Sequence, residues 1–400
     1  MVWGVQTRKF YNFVGDYDWC RSLVRRIWFM HATIYDIALT FVEQLGPRGA
    51  AHLIDRFGSA EAIFAADEQE LLQRGELRSG IVKAILSRKA LSCAEREMHH
   101  CQKYNIIPVA ATSSAYPQRL RFISDPPHVI YVMGNVEVLH RQHILSIVGT
   151  RRMTTYGERA CNEIVEGVAR QCPDAVIISG LAYGSDAAAH RAALVCNLPT
   201  VGVVANALPS IIPAANSALA RDMIARGGAV LTEVSSQTPT NGNMYIPRNR
   251  IVAALADGLL VLESGSSGGS LHTAKAADSY SRTVMALPGR ATDAMSAGCN
   301  HLIHTGVAQL VASAEHLLRQ LGWESSSPTD NIRAEVAPLE DNERRLLDCF
   351  GNSADGVSID ELIIRSGFSA AEVGAMLFNL ELSGVVRALP GKIYERLIND

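Results

Sequence analysis

HILSIVGTRRMTTYG, residues 143–157, joins a short apolar run to a glycine turn and the start of a helical pattern. The apolar half is typical of a strand that is buried on both faces of a parallel sheet. The helical pattern continues as GERACNEIVEGVARQC to residue 172. A strand, a tight turn and a helix in this order predict a β-α unit of a doubly wound α/β domain.

Further apolar runs alternate with helical stretches between residues 105 and 322, which we assign to one Rossmann-like domain. These runs are DAVIIS at 174–179, PTVGVV at 199–204, AVLTEV at 229–234, DGLLVLE at 257–263, TVMALP at 283–288 and VAQLVA at 307–312. Continuous apolar strands separated by helices predict an extended, doubly wound, mostly parallel sheet. The ligands of such a domain are expected at the carboxyl ends of its strands.

The segments on either side of this domain have different patterns. Residues 32–104 are helical throughout and predict a small α-helical domain, whose turn Leu45–Gly49 faintly resembles a helix-hairpin-helix. Residues 323–339 are polar and contain Ser and Pro, which indicates a linker. Residues 340–400 contain three helical patterns and a strand pair, which predict a winged helix. Residues 1–31 are aromatic-rich and aperiodic, and they are left as an unassigned extension.

The composition is that of a folded globular protein, with 48% hydrophobic and 19% charged residues in a chain of 400. A chain of this length predicts two or three domains. The net charge of −3 gives no global sign of a polyanion partner. Residues 111–322 carry 16 Lys and Arg against 14 Asp and Glu, whereas residues 331–400 carry 7 against 12. The central part is therefore slightly basic and the tail is acidic.

Several functional classes are disfavoured by the sequence. The eight cysteines include no CxxC pair and no zinc-site spacing, so we expect reduced thiols and no metal site. No segment reaches the roughly 18 to 20 uninterrupted apolar residues that a membrane span requires. Asp16 and Asp18 interrupt any signal-peptide core. We therefore expect a cytoplasmic protein without a membrane contact.

The first candidate binding loop follows the strand at 143–148 and begins Gly149-Thr150-Arg151-Arg152. In a dinucleotide-binding enzyme a glycine would stand at Arg151, because the pyrophosphate must approach the backbone closely. Binding of NAD or FAD is therefore disfavoured, and no cofactor is expected. An arginine at a helix N-terminus suits an exposed phosphate of a larger polyanion, and pairing of Arg151 with an acidic neighbour is the alternative.

The second candidate loop contains Ser179 and Gly180, at the end of the strand DAVIIS. Small residues at this place allow a ligand to approach the backbone closely. Asp186 can cap the helix that follows. His190 in that helix has no nucleophile at catalytic spacing, so a packing or hydrogen-bonding role is favoured over that of a base.

The third candidate region is Tyr245-Ile-Pro-Arg248-Asn249-Arg250, just before an apolar helical pattern. We expect an exposed aromatic ring beside two arginines, which would combine base stacking with phosphate contacts on a single strand. A solvated charge cluster is the alternative.

The fourth candidate loop follows the strand LLVLE and includes Gly268, Gly269, Ser270, Thr273 and Lys275. Its hydroxyls, amides and lysine are typical of an anion-binding nest at a helix start. The spacing does not match a Walker A loop, so ATP hydrolysis is disfavoured. Four such loops at the strand ends of one sheet are expected to converge on one rim, which predicts a polyanion-binding surface.

An ordered series of short motifs resembles the DprA/Smf family of DNA-processing proteins, over roughly residues 33 to 397. The motifs are Tyr116-Pro117, Asp125-Pro126-Pro127, Tyr131 to Gly134, Ile147-Val148-Gly149-Thr150-Arg151, Ser179 to Asp186 with His190, Arg248-Asn249-Arg250, Gly269-Ser270-Leu271 with Thr273-Ala274, Pro288-Gly289, and Gly298 to Asn300 with Leu302-Ile303.

The resemblance implies a SAM-like N-terminal helical domain, an extended Rossmann domain that binds DNA and forms a homodimer, and a C-terminal winged helix. It further implies binding of single-stranded DNA, with duplex DNA bound more weakly, and loading of RecA past single-strand binding protein during natural transformation. No catalytic activity is implied.

Two departures from the family pattern concern candidate DNA contacts. The family commonly has FPxRNR where this chain has YIPRNR, so the aromatic residue is kept but the proline is shifted. A family Tyr-Pro pair is represented by Ile212-Pro213, and Ala214-Ala215 follow where basic residues often occur. Some DNA contacts are therefore expected to be weaker or relocated.

Two other functions remain as alternatives. A Rossmann phosphoribohydrolase would need a catalytic Glu in its glycine-rich loop, and the stretch Gly268–Ala277 contains no carboxylate. A winged-helix transcription regulator would present Arg, Lys, Asn or Gln from its recognition helix. The helical pattern SAAEVGAMLFNLELSG offers only Asn379 and carries Glu372 and Glu381, so we interpret this domain as a protein-interaction or regulatory module.

Overall fold

The computed structural model describes residues 31–239, 245–323, 341–350, 357–383, 385–389 and 393–396. The chain forms two compact units, with the boundary between Glu324 and Ser325. The predicted extension except His31, and the predicted linker except Trp323, lie outside the described residues.

A nine-stranded sheet dominates the first unit, in the order β1-β2-β6-β5-β4-β3-β7-β8-β9. The strands are β1 (Ile107–Ala110), β2 (Val129–Gly134), β3 (Ile144–Val148), β4 (Val176–Ser179), β5 (Thr200–Val203), β6 (Ala229–Thr232), β7 (Gly258–Val261), β8 (Thr283–Ala286) and β9 (Gln309–Leu310). Strands β3 to β9 pair in parallel. The seven apolar runs found in the sequence form strands β3 to β9, so the predicted parallel sheet is confirmed.

Strands β1 and β2 form an antiparallel edge that the sequence analysis missed. β1 pairs only with β2, and β2 also pairs with β6 in the antiparallel direction. Each predicted strand belongs to an alternation of strand and helix, whereas β2 is followed by the short 3-10 helix Val136–His140. Pro108 within β1 is also unfavourable for a strand and is tolerated here because β1 lies at the edge.

Helices cover both faces of the parallel sheet. The helices of the first unit are α1 (Ile34–Thr40), α2 (Pro47–Phe57), α3 (Ala60–Ala65), α4 (Glu68–Gln73), α5 (Ser79–Leu86), α6 (Lys89–Tyr104), α7 (Gln118–Arg121), α8 (Thr155–Gln171), α9 (Ser185–Val195), α10 (Ser217–Ala225), α11 (Tyr245–Ala254), α12 (Gly269–Ser279), α13 (Ala297–His304) and α14 (Ala314–Leu321). Leu145 and Ile147 of β3 pack in one apolar cluster with residues of α8, α9 and α14. Ile144 and Val148 pack in another with α11, α12 and α13. Successive residues of the central strand thus face opposite helical layers, as expected of a doubly wound fold.

The helices α1 to α6 pack on the same unit as the sheet. Their apolar residues form one cluster with α10 and with Val129 and Tyr131 of β2. Hydrogen bonds add to this packing. The buried Glu97 carboxylate on α6 accepts one from the Ser236 backbone nitrogen at 2.9 Å and one from Ser236 Oγ at 2.6 Å. The predicted helical character of residues 32–104 is confirmed. The predicted domain boundary after residue 104 stays a prediction, since both sides share one core.

The second unit is a winged helix, as the sequence predicts. It contains α15 (Asp341–Asp348), β10 (Val357–Ser358), α16 (Ile359–Ser366), α17 (Ala370–Leu382), β11 (Val386–Leu389) and β12 (Ile393–Arg396). The strands form an antiparallel sheet in the order β10-β12-β11. Leu346, Leu362 and Leu377, one from each helix, meet in its buried core. Among the helices that the structure describes, none is long and apolar enough to cross a membrane.

The contact between α8 and α14 predicts an unusual effect of alanine at Gly167. A Cβ atom there would lie 2.2 Å from Ala314 Cβ, which is far inside van der Waals contact. We expect Gly167→Ala to lower the free energy of unfolding by about 1 to 3 kcal/mol through overpacking, although the same change in an open helix stabilises by up to about 1 kcal/mol. Gly80→Ala on α5 is the matched control, because nothing lies within 4 Å of its added Cβ. Urea unfolding measures both, and equal stability changes would contradict the packing.

Candidate nucleic-acid interface

The candidate interface lies where the strand order of the sheet reverses. From β3 the chain builds β4, β5 and β6 on one side and then returns to place β7 on the other side of β3. The crevice outside the carboxyl ends of β3 and β7 is the position at which open α/β sheets bind ligands. The Arg151 loop, residues 149–154, follows β3, and the glycine-rich loop, residues 264–268, follows β7.

A buried carboxylate connects the two sides of this crevice. Glu263, just after β7, is 2% exposed. Its Oε2 accepts a hydrogen bond from the Thr154 backbone nitrogen at 2.8 Å, and its Oε1 accepts one from Thr154 Oγ1 at 2.5 Å. Thr154 is the N-cap of α8, and a Cβ on Gly157 in the first turn would lie 2.5 Å from Glu263 Oε2. The carboxylate therefore lies against a helix N-terminus, where the helix dipole stabilises negative charge.

The Arg151 loop is also attached to the start of α9. The Ser185 backbone nitrogen donates to the Thr150 carbonyl oxygen at 3.1 Å, and Ser185 Oγ donates to the same oxygen at 3.2 Å. A Cβ on Gly149 would lie 2.3 Å from Ser185 Oγ, so only glycine fits at this position. The backbone that carries Arg151 is thus held from both neighbouring strand ends.

Arg151 and Tyr245, predicted on two different loops, lie together. Arg151 and Arg152 are exposed, and Arg151 Cζ lies 5.1 Å from the centroid of the half-buried Tyr245 ring, a cation–π contact. Within the described ranges, no carboxylate lies at salt-bridge distance from Arg151 or Arg152. The alternative that Arg151 pairs with an acidic neighbour is therefore not supported.

Arg248 is a correction to the sequence analysis, which expected an exposed arginine. Its side chain is 6% exposed, lies directly beneath Gly180, and donates from Nη1 to the Val203 carbonyl oxygen. Burial raises the pKa of the nearby Asp186 carboxyl, and the charge of Arg248 opposes that rise. Arg248 thus supports the second loop from below, and neither an exposed phosphate contact nor a solvated charge cluster describes it.

Arg250 is likewise mostly enclosed, with a side chain 12% exposed. It forms salt bridges to Glu233 and, at 3.6 Å, to Asp125. Its Nη1 donates to the Asp125 carbonyl oxygen at 2.8 Å. Both corrections have one reason. The motif YIPRNR was expected before the helix, but α11 begins at Tyr245, so the motif is helical and both arginines point toward the protein. Asn249 remains partly exposed.

The other predicted residues separate into accessible and structural positions. Gly268 is the N-cap of α12, and Gly269 and Lys275 on that helix are exposed. Ser270 and Thr273 are buried, and Ser270 Oγ donates to Ser264 Oγ at 2.8 Å.

The predicted residues of the second loop are enclosed. Ser179 and Gly180 are buried, and Ser179 Oγ donates to the Ile147 carbonyl oxygen at 2.5 Å. Among the described residues, no cluster of three His, Cys, Asp or Glu side chains could hold a metal ion.

Of the alternatives for His190, the geometry favours a hydrogen-bonding role. Thr200 Oγ1 donates its proton to the Ile177 carbonyl oxygen at 2.7 Å, so at the 2.7 Å contact with His190 the ring Nδ1–H must be the donor. Burial, reinforced by the nearby charge of Arg248, lowers the pKa of His190 to about 3. The ring is therefore neutral near pH 7, with the proton on Nδ1.

Two family models match the chain. The model described as DNA recombination-mediator protein A matches residues 108–322, and the DprA winged helix domain matches residues 333–392. Protein Smf of Escherichia coli (strain K12) is 34% identical over 307 residues, which are 76% of this chain and 79% of that protein. The putative DNA processing protein DprA of Mycobacterium tuberculosis (strain H37Rv) is 34% identical over 296 residues, which are 72% of this chain and 74% of that protein.

A solved structure agrees with these matches. The X-ray structure of DNA processing protein A from Streptococcus pneumoniae has a TM-score of 0.61 and 28% identity, covering 72% of this chain and 98% of that one. Fold, site and relatives define the chain as an α/β DNA-binding protein with an added winged helix. It belongs to the DNA recombination-mediator protein A family, known as DprA or Smf, so the resemblance found in the sequence is confirmed.

The neutral, buried His190 predicts a pH dependence of stability. The unfolded histidine takes up a proton near pH 6.5, whereas the folded one resists protonation until about pH 3. Between these values the unfolded state binds more protons, so stability falls as the pH is lowered, by up to about 1.4 kcal/mol per pH unit. Urea unfolding at pH 7.5, 6.5 and 5.5 should show a steeper loss for the wild type than for His190→Asn, whose amide can replace the Nδ1 donor. Parallel slopes for the two proteins would mean that His190 is not protected from protonation.

Proposed function

We propose that this chain binds single-stranded DNA along the crevice between β3 and β7 and delivers it to RecA. The observation that carries the proposal is the contact of the Arg151 guanidinium with the Tyr245 ring on a rigid loop. A cation next to an aromatic face can bind a phosphate and a base of the same strand. Duplex DNA offers the phosphates but keeps its bases stacked, so we expect weaker binding to it.

The contact set that we propose is smaller than the one expected from sequence. Arg151, Arg152, Tyr245 and Lys275 are accessible and contact the strand directly, together with the backbone around Gly269. Their partners beneath have a different role. Arg248 and Arg250 hold the loops in place through buried hydrogen bonds and salt bridges. Ser179 and Ser270 do so through buried hydrogen bonds, and Thr273 is buried.

A binding function is favoured over catalysis by the state of the acidic and basic groups near the crevice. Both carboxylate oxygens of Glu263 already accept hydrogen bonds from Thr154. His190 is buried, with a pKa lowered to about 3. Neither group is placed to exchange a proton with a substrate at neutral pH, which disfavours the phosphoribohydrolase alternative.

The remaining parts of the proposal rest on family membership. They are RecA loading, relief of the block by single-strand binding protein, homodimerisation through the Rossmann domain, a role in natural transformation and a cytoplasmic location. The winged helix is proposed to bind protein rather than DNA. Its Ile364 and Phe378 are 81% and 62% exposed, and its segment is acidic, which suits an apolar contact better than a phosphate.

Arg151→Ala tests the phosphate contact. A charged hydrogen bond to phosphate contributes roughly 1.5 to 3 kcal/mol, so we expect at least about tenfold weaker binding of labelled oligo-dT. The log–log salt slope should fall by about 0.7, the value for one phosphate. The control is Arg170→Ala at the far end of α8, which removes the same charge from a side chain 71% exposed.

Fluorescence anisotropy at two salt concentrations measures these affinities, with circular dichroism as the folding control. Folded Arg151→Ala protein that binds oligo-dT as tightly as Arg170→Ala would place the site elsewhere. Arg248→Ala is expected to lower stability, because it leaves Asp186 buried without its cationic neighbour.

Removal of the winged helix tests the assignment of DNA binding to the first unit. A chain that ends at Glu324 keeps Trp323, which packs in the core of the first unit. We expect its affinity for oligo-dT to stay within about twofold of the full chain, since the charges of the lost segment, 7 basic against 13 acidic, do not favour phosphate binding. A tenfold loss in the anisotropy titration, with the truncated protein folded, would assign DNA binding to the winged helix.

A further inference from the structure

Tyr183 is an exposed tyrosine at the candidate interface that lies within the motif Ser179 to Asp186 but is not among the proposed contacts. It lies in the loop between β4 and α9, and it is 52% exposed. Among the described residues, its ring and hydroxyl have neither a hydrogen bond nor a ring contact. A large aromatic side chain in water without a partner is available to bind a ligand.

The loop that carries Tyr183 is held in a conformation that disfavours ordinary residues. Leu181 has φ of 55° although it is buried, and Gly184 has φ of 68°. The Asn216 side chain donates from Nδ2 to the carbonyl oxygens of Leu181 at 2.9 Å and of Ala182 at 3.1 Å. Strained backbone of this kind persists where the surroundings fix it, and it is frequent in ligand-binding loops. Tyr183 is therefore presented from a rigid support.

The support joins the Arg151 loop directly. The Ser185 backbone nitrogen donates to the Thr150 carbonyl oxygen, and a Cβ on Gly184 would lie 2.7 Å from the carbonyl carbon of Arg151. Tyr183 is the residue before Gly184, so its backbone adjoins that of Arg151. The guanidinium of the same arginine contacts the Tyr245 ring.

We propose that Tyr183 stacks on a nucleobase of a single strand whose neighbouring phosphate is bound by Arg151. This inference rests on the proposed function and adds a base contact to it. A nucleobase presents a flat apolar face, and a rigid exposed tyrosine covers such a face with little loss of conformational entropy. Every base has this face, so the contact favours single strands without selecting a sequence.

The test compares a normal strand with one that lacks bases. Full-length Tyr183→Ala is titrated against labelled oligo-dT and against an abasic deoxyribose-phosphate strand of the same length. We expect roughly 5- to 150-fold weaker binding of oligo-dT, the range for loss of one stacked base, and less than twofold change on the abasic strand. The salt slope should match that of the wild type, because no phosphate contact is lost.

Three variants control for the shape of the side chain and for its position. Tyr183→Phe keeps the ring and should bind within about twofold of the wild type, whereas Tyr183→Leu keeps an apolar side chain and should lose binding as Tyr183→Ala does. Tyr104→Ala removes a 38% exposed tyrosine from α6, and it should bind both strands normally. If Tyr183→Ala fails to fold, the comparison of Tyr183→Leu with Tyr183→Phe gives the same answer.

Two outcomes would overturn the inference. Equal loss on both strands would mean that Tyr183 does not contact bases, and unchanged DNA binding with altered self-association would make it a protein contact. In both cases wild-type binding to oligo-dT, with its salt dependence, leaves the proposed function standing. Absence of wild-type binding to either strand would instead refute the proposed function itself.

Discussion

The hydrogen bonds from Thr154 to the buried Glu263 carboxylate are the constraint on which the interface depends. They cross the crevice outside the ends of β3 and β7, the two paired strands at the point where the sheet reverses its order. This connection adds to the hydrogen bonds that attach the Arg151 loop to the start of α9. A charge this deeply buried is costly unless every acceptor is satisfied, and the helix N-terminus supplies both the donors and a favourable dipole. The loop geometry is thus set by a group that is itself buried.

Buried arginines extend the same principle to the rest of the rim. Arg248 occupies the space beneath Gly180, and Arg250 joins Glu233 to Asp125. Buried ion pairs add little net stability, because desolvation offsets much of their attraction. Removal of one partner nevertheless destabilises the protein strongly, because the other charge is left buried without a partner. Their contribution here is geometric. They fix loops from separate strand ends relative to one another.

The helical segment α1 to α6 takes part in this arrangement and is more than an appended domain. Its apolar face completes the core over β2 and α10, and Glu97 holds the backbone of Ser236 in the segment that follows β6. That segment leads toward α11 and Tyr245. A helix-hairpin-helix contact with DNA at Leu45–Gly49 is therefore not needed to explain why the helices are present, since packing and loop support already account for them.

The sequence by itself determined the parallel sheet, the helical segment, the winged helix and the family. Each of these can be recognised from local patterns. The apolar run at 144–148, followed by a glycine and a helix, is an example, because burial on both faces of a sheet requires continuous apolar strands. It also placed Arg151 where a dinucleotide would need glycine. The antiparallel strands β1 and β2 were not predicted from the sequence, since no crossover helix follows them.

Only the tertiary structure decided which arginines are accessible. Arg151 and Arg248 have the same chemistry and both lie near a strand end, yet one is exposed and the other is 6% exposed. The orientation of α11 against the sheet determines which side chains are buried. Ile246 is 62% exposed and Arg248 is buried, which reverses the usual burial of apolar residues and exposure of charged ones. Glu263 likewise gains its role from Thr154, 109 positions earlier in the chain. Such contacts depend on how distant segments pack, and no local pattern of residues records them.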